Sequence, residues 1–159
     1  AAVAPDPGAL SRRRVRESYK YIDIVNAFAA NDPVSTARIW ERLGLSARPE
    51  QAIVLMNVRA DRQRRSKDLA PLFGRELIAA HYVLIGQQTG VMADMLRRQG
   101  QVGDRLVDLG GKPPATVWAR VVELAASRCT IVGIGNIHGG GDELLRFLEE
   151  RETTARSVG

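Results

Sequence analysis

The chain has 159 residues, 45% of them hydrophobic and 26% charged, enough for one domain with its own core and too little for two ordinary catalytic domains. No apolar stretch approaches the roughly 20 residues that cross a bilayer, no signal peptide is visible, and the lone Cys129 excludes an internal disulfide and disfavours a cysteine-built metal site, so a reducing cytoplasmic setting fits best. The net charge of +5, from 23 basic against 18 acidic residues, favours anionic partners, but 5% aromatic residues without basic-aromatic interleaving argue against nucleic acid.

Residues 1–11, with Pro5, Pro7 and Gly8, read as an extended interdomain linker. The basic run Arg12 to Arg16 contributes much of the excess charge, and phosphate or carboxylate groups of small substrates account for such clusters. Tyr19 to Phe28 is a β-type run, and the break at Ala29 to Pro33 starts a helix through Trp40 and Leu43. Asp32 is a natural N-cap for it and Pro33 a natural first residue. Ala52 to Asn57 forms a continuous apolar strand, Arg59 to Arg62 a turn, and Gln63 to Phe73 a helix. Tyr82 to Ile85 is a third strand, followed by a helix near Val91 to Arg98. Arg105 to Leu109 reads as a short edge strand, Pro113-Pro114 starts a helix through Val117, Val121 and Leu124, and Thr130 to Gly135 is the last buried strand. The domain proper spans 12–151, and residues 152–159 read as a flexible tail.

Strands alternating with helices predict an α/β fold with a parallel sheet, whose polar strand ends share one edge. That edge collects Asn26 to Asp32, Asn57 to Arg65 and Asn136 to Gly141. The most informative stretch is Ile131 to Asp142, an apolar run ending in a glycine-rich turn that opens a helix, an arrangement suited to an anion. Asn31 can meet a ribose hydroxyl or an adenine edge while Asp32 caps its helix, although capping alone also explains the pair. Arginines in the first turn of a helix oppose its dipole, so at least one of Arg59, Arg62 and Arg65 is expected to meet an anionic ligand rather than only solvent. His138 reads as a turn histidine or a ligand contact; His81, Trp40 and Trp118 read as structural. No Gly-x-x-x-x-Gly-Lys-Ser/Thr loop and no early Gly-x-Gly-x-x-Gly is present, which disfavours a self-contained nucleotide-binding domain.

Together, Ala4 to Leu10, Val25 to Asp32 with Ser35-Thr36 and Ile39-Trp40, Met56 to Arg62, and Gly135 to Gly139 resemble the CapB/PgsB-type poly-γ-glutamate synthases, relatives of the Mur ligases. The resemblance implies a Rossmann-like three-layer sandwich with a mostly parallel sheet, as in the third domain of Mur-type ligases. It also implies an ATP-dependent amide ligase that activates a carboxylate as an acyl phosphate and joins glutamate through γ-linkages. ATP and Mg2+ would be held mainly by amino-terminal and central regions that lie outside this chain, so the chain alone is expected to be inactive and to contain no catalytic or metal-binding residue. By motif, Asn31, Asp32 and Arg59 are carried over as nucleotide contacts, and Asp61, Arg62, Asn136, His138 and Gly139 as glutamate contacts; Arg65 joins the glutamate contacts as one of the arginines that oppose the helix dipole. The implied partners are the remaining domains, membrane-associated synthase and export subunits, glutamate and polyglutamate, with an oligomer allowed and the full-length protein at the inner face of the membrane. The alternatives are a non-enzymatic anion- or nucleotide-binding module and a Mur-like ligase domain with another acidic acceptor.

Overall fold

The computed structural model describes residues 10–30 and 32–158, with side chains through residue 152. Most of the linker expected at 1–11 therefore lies outside the described residues, as does Asn31. The chain enters through an antiparallel pair, β1 (Ser11–Glu17) and β2 (Lys20–Asn26). The basic run Arg12 to Arg16, to which the sequence reading assigned no element, thus lies in a strand. Its two-residue turn, Ser18-Tyr19, lacks the Gly or Asn that marks most tight hairpins, yet Ser18 adopts a left-handed φ of 55°. The absence of those residues hid the hairpin.

The remaining elements alternate as expected: α1 (Pro33–Leu43), β3 (Ala52–Val58), α2 (Gln63–Leu69), β4 (His81–Gly86), α3 (Thr89–Gln99), β5 (Leu106–Asp108), α4 (Pro114–Leu124), β6 (Arg128–Gly135) and α5 (Gly140–Val158). The helix expected through Phe73 ends as α2 at Leu69 and tightens into a 3-10 turn over Ala70–Leu72, because Pro71 lacks the N–H that would continue it. Helical backbone in α5 continues into the segment expected as a tail.

One sheet of six strands runs in the order β1-β2-β6-β3-β4-β5, with every pair parallel except β1 with β2. All residues of β3 are buried, as a central strand covered on both faces requires. Its alternate residues feed different cores. Val54 and Met56 pack with Trp40, Leu69, Met92 and Leu96 of α1 to α3. Ile53 and Leu55 pack with Val117, Trp118, Val121, Leu144 and Leu148 of α4 and α5. The result is a three-layer sandwich, in which truncating a core leucine such as Leu55 to Ala costs about 2–5 kcal/mol.

Local chemistry fixes the elements within these layers. Asp32 caps α1 through a hydrogen bond from the Ser35 N–H to its Oδ1 at 2.8 Å, and this bond holds its carboxyl below the usual range. Both tryptophans are core residues with their N–H satisfied: Trp40 donates to Ser46 Oγ at 3.2 Å and Trp118 to Glu17 Oε1 at 3.0 Å. Cys129 is buried, and burial pushes its thiol up to about 12.

Because β6 lies between β2 and β3, neighbouring strands send their chains to opposite faces. The segment after β3 leads to α2 on one side, and the segment after β6 leads to α5 on the other. A crevice opens at the carboxyl ends of strands where such a reversal occurs.

Candidate functional site

Asn57 organises this crevice. It is a polar residue near the end of an otherwise apolar strand and has 0% exposure. Its Nδ2 donates to the carbonyls of Asn136 and His138, at 2.5 and 2.8 Å, so β3 holds the turn that leads from β6 into α5. Gly86 and Gly140 close against the same carboxamide. A Cβ on Gly140 would stand 2.7 Å from Asn57 Oδ1, and one on Gly86 would stand 2.5 Å from it. Gly86 also has a φ of 101°, which a side chain would strain. These glycines are needed for backbone approach rather than for mobility.

Above this floor lies a cleft of about 540 Å³, lined by Arg59 and Asp61 after β3, Gly86 and Gln87 at the end of β4, Gly111 and Lys112 before α4, and His138 to Gly140 with Glu143 at the start of α5. Its volume is within the range of small-molecule sites. Arg59 is held by Asp61, with Nη2 donating to Oδ2 at 2.8 Å, and its side chain is 27% exposed. One guanidinium nitrogen is thereby occupied while the rest of the planar fork stays free to meet a ligand. His138 is exposed, with Nδ1 3.4 Å from Asp142 Oδ2.

Two cations, Arg59 and Lys112, and two carboxylates, Asp61 and Glu143, therefore line one cleft, Arg59 and Asp61 as an ion pair. Such a lining complements a ligand that carries charges of both signs. The expected anion site at the α5 start is also modified: Asp142 and Glu143 sit in the first turn, where their own negative charge complements the helix dipole. Among the described residues, no group of three or more His, Cys, Asp or Glu comes together as a metal site. The residues present do not by themselves fit a resident magnesium ion.

Of the residues singled out in the sequence, the structure brings Arg59, Asp61, His138 and Gly139 to the cleft. Asp32 stays with α1 as its cap, and Asn31 is outside the described residues. Arg62 and Arg65 are exposed around the start of α2, outside the lining and without an ion pair among the described residues. Asn136 is buried beneath the turn, its carbonyl taken by Asn57 and its Nδ2 without a partner. Sequence reasoning missed Gly86, Gln87, Lys112 and Glu143, together with the bracing role of Asn57. An asparagine inside the run Ala52 to Val58 was the one local signal for the last.

Residues 13–151 match the family model described as the poly-gamma-glutamate synthase CapB C-terminal domain. The chain is 33% identical over 153 residues to the capsule biosynthesis protein CapB of Bacillus anthracis, covering 93% of this chain and 32% of that protein. It is 32% identical over 147 residues to the PGA synthase CapB of Bacillus subtilis (strain 168), covering 92% of this chain and 37% of that protein. It thus spans about a third of the length of these relatives. Among solved structures it is similar to a domain assigned to a UDP-N-acetylmuramate:L-alanyl-gamma-D-glutamyl-medo-diaminopimelate ligase from Haemophilus ducreyi 35000HP. That match has a TM-score of 0.48 and 17% identity over 80% of this chain and 88% of that one. With the match running from β1 into α5, the chain belongs to the poly-gamma-glutamate synthase CapB C-terminal domain family.

Proposed function

We propose that this chain is the closing domain of an ATP-dependent amide ligase that polymerises glutamate through γ-linkages, and that its cleft positions the incoming glutamate against the remaining domains. The observation that supports this reading is the mixed charge of the cleft in a member of this family. Glutamate carries carboxylates and an ammonium group together. Arg59 and Lys112 suit its carboxylates, and Asp61 and Glu143 suit the ammonium group.

In this reading Asn57 sets the turn that carries His138, and Arg59, held by Asp61, presents a preoriented fork to a carboxylate. A positioned fork loses little freedom on binding, which favours one orientation of the attacking amine over others. Activation of the acceptor carboxylate by ATP and Mg2+ belongs to the remaining domains. ATP contacts from Asn31 and Asp32, and outer glutamate contacts from Arg62 and Arg65, would form when the remaining domains close. Membrane-associated export subunits and a place at the inner face of the membrane follow from the same family reading. Among the described residues, no helix is long and apolar enough to cross a membrane.

The test is glutamate-dependent ADP release and polymer formation by the full-length protein. Arg59→Ala is expected to lower kcat/KM for glutamate by roughly 10-fold or more, about 1.4 kcal/mol of lost transition-state stabilisation. His138→Ala is expected to lower it less, because that side chain is largely exposed. Unchanged kinetics in Arg59→Ala would remove the cleft from the reaction.

A further inference from the structure

The hairpin has two unlike faces. On one, Val15 packs in the α4 and α5 core, Arg13 pairs with Glu149 and Glu152 at 3.2 and 3.0 Å, and Glu17 meets Trp118 and Arg151. On the other, Arg12, Arg14 and Arg16 point away from those helices. The register puts Arg14 beside Asp23 and Arg16 beside Tyr21, and Tyr21 beside Arg128 of β6. These side chains remain open: Arg12, Arg16 and Arg128 are exposed, Arg14 is 77% exposed and Tyr21 48%. On β2 and β6 the α1 to α3 core reaches this sheet face at Val25, Val132 and Ile134, nearer the carboxyl ends of the strands.

Asp23 is the one carboxylate in this register group, and Arg14 Nε already donates to it at 3.0 Å. Arg12 and Arg128 have no ion pair among the described residues, and Arg16 lies over the Tyr21 ring at 5.4 Å. The face therefore carries a net positive charge with nothing in the described fold to neutralise it. A cleft-sized ligand cannot span it, since alternate residues of a strand lie roughly 6.6 Å apart and the row from Arg12 to Arg16 covers about twice that.

We propose that this arginine face is a binding surface for the polycarboxylate product, the γ-linked glutamate chain, separate from the cleft. The proposal rests on the reading of the protein as a γ-glutamate-polymerising ligase. A γ-linkage extends the backbone repeat to roughly 6 Å, so successive carboxylates come at nearly the spacing of the outward arginines. Each arginine contact is weak at an exposed site, but linked contacts reinforce one another through effective concentration. Binding should therefore grow with polymer length and fall with salt. Nucleic acid fits less well, because the Tyr21 ring is covered by Arg16 and offers no free stacking platform.

The test is fluorescence anisotropy with labelled poly-γ-glutamate and the full-length protein. The triple variant Arg12→Glu, Arg14→Glu, Arg16→Glu is expected to bind at least 10-fold more weakly. The pair Arg12→Gln, Arg128→Gln, which breaks no ion pair, is expected to lose roughly 3-fold or more while melting like the wild type. Arg98→Gln, an exposed arginine in the last turn of α3 and outside both regions, should leave polymer binding unchanged. Wild-type affinity in the Gln pair and the Glu triple, equal affinity for duplex DNA of matched charge, or a loss in Arg98→Gln as large as in the triple would each overturn the proposal. Ligation by the same protein separates the two readings. Polymer binding through the arginines without any glutamate ligation would sink the polymerase reading and leave the surface, whereas ligation with binding indifferent to the arginines would sink the surface alone.

Discussion

The cleft and the open face of the hairpin both present arginine, and they are built in opposite ways. In the cleft Arg59 is partly buried and held by Asp61, and Lys112 and Glu143 keep the lining mixed in sign. On the hairpin the arginines are exposed, mostly without carboxylate partners, and supported only by a strand. The first arrangement is specific because its geometry is fixed before binding. The second tolerates many poses and depends on repetition. A zwitterionic monomer suits one and a polyanion the other.

The comparison breaks most severely at the floor of the cleft. Asn57→Ala removes the donors to Asn136 and His138 and leaves both carbonyls unanswered, which is expected to cost about 2–4 kcal/mol in urea denaturation. A change below about 0.5 kcal/mol would show that the turn before α5 holds its own shape. On the buried face of the hairpin, Glu17→Ala removes the acceptor for Trp118 and Arg151. A loss of about 1–2 kcal/mol is expected in the same assay, with polymer binding through the opposite face preserved. Loss of polymer binding in that variant would mean that the two faces are not independent.

The smallest effect lies away from both regions, at the amino end of β4. His81 is half-buried with Nδ1 lacking a partner, and burial, reinforced by Arg120 and Arg105, holds its imidazole below the ordinary value. The unfolded chain therefore binds more protons as pH falls below about 6.5. Stability associated with neutral His81 is fully present above that pH and declines as pH falls toward the lowered folded value. His81→Gln should flatten this part of a plot of Tm against pH. An identical acid slope in both proteins would show that His81 is not the group responsible.

The strands and caps were legible where local chemistry was strong. Ala52 to Asn57 reads as a continuous apolar strand and Asp32-Pro33 as a helix start, and both stand as β3 and the start of α1. The hairpin was not legible, because Ser18-Tyr19 carries none of the residue types that announce a tight turn and the arginines of β1 mask its alternation. Within the candidate site, Arg59, Asp61, His138 and Gly139 stood out because they flank strand ends. Lys112 and Glu143 did not, since neither belongs to a motif with a chemistry of its own.

From β2 onward the sequence by itself determined the succession of strands and helices, the apolar faces they bury and the family the chain resembles, because capping, periodicity and motif spacing are local properties. Only the tertiary structure decided that β6 enters between β2 and β3, that the β4 end and the loop before α4 complete the cleft, and that one face of β1 stays open. Parallel strands pair across long crossovers, so their order depends on which buried faces pack together, a relation between distant segments that no local pattern encodes.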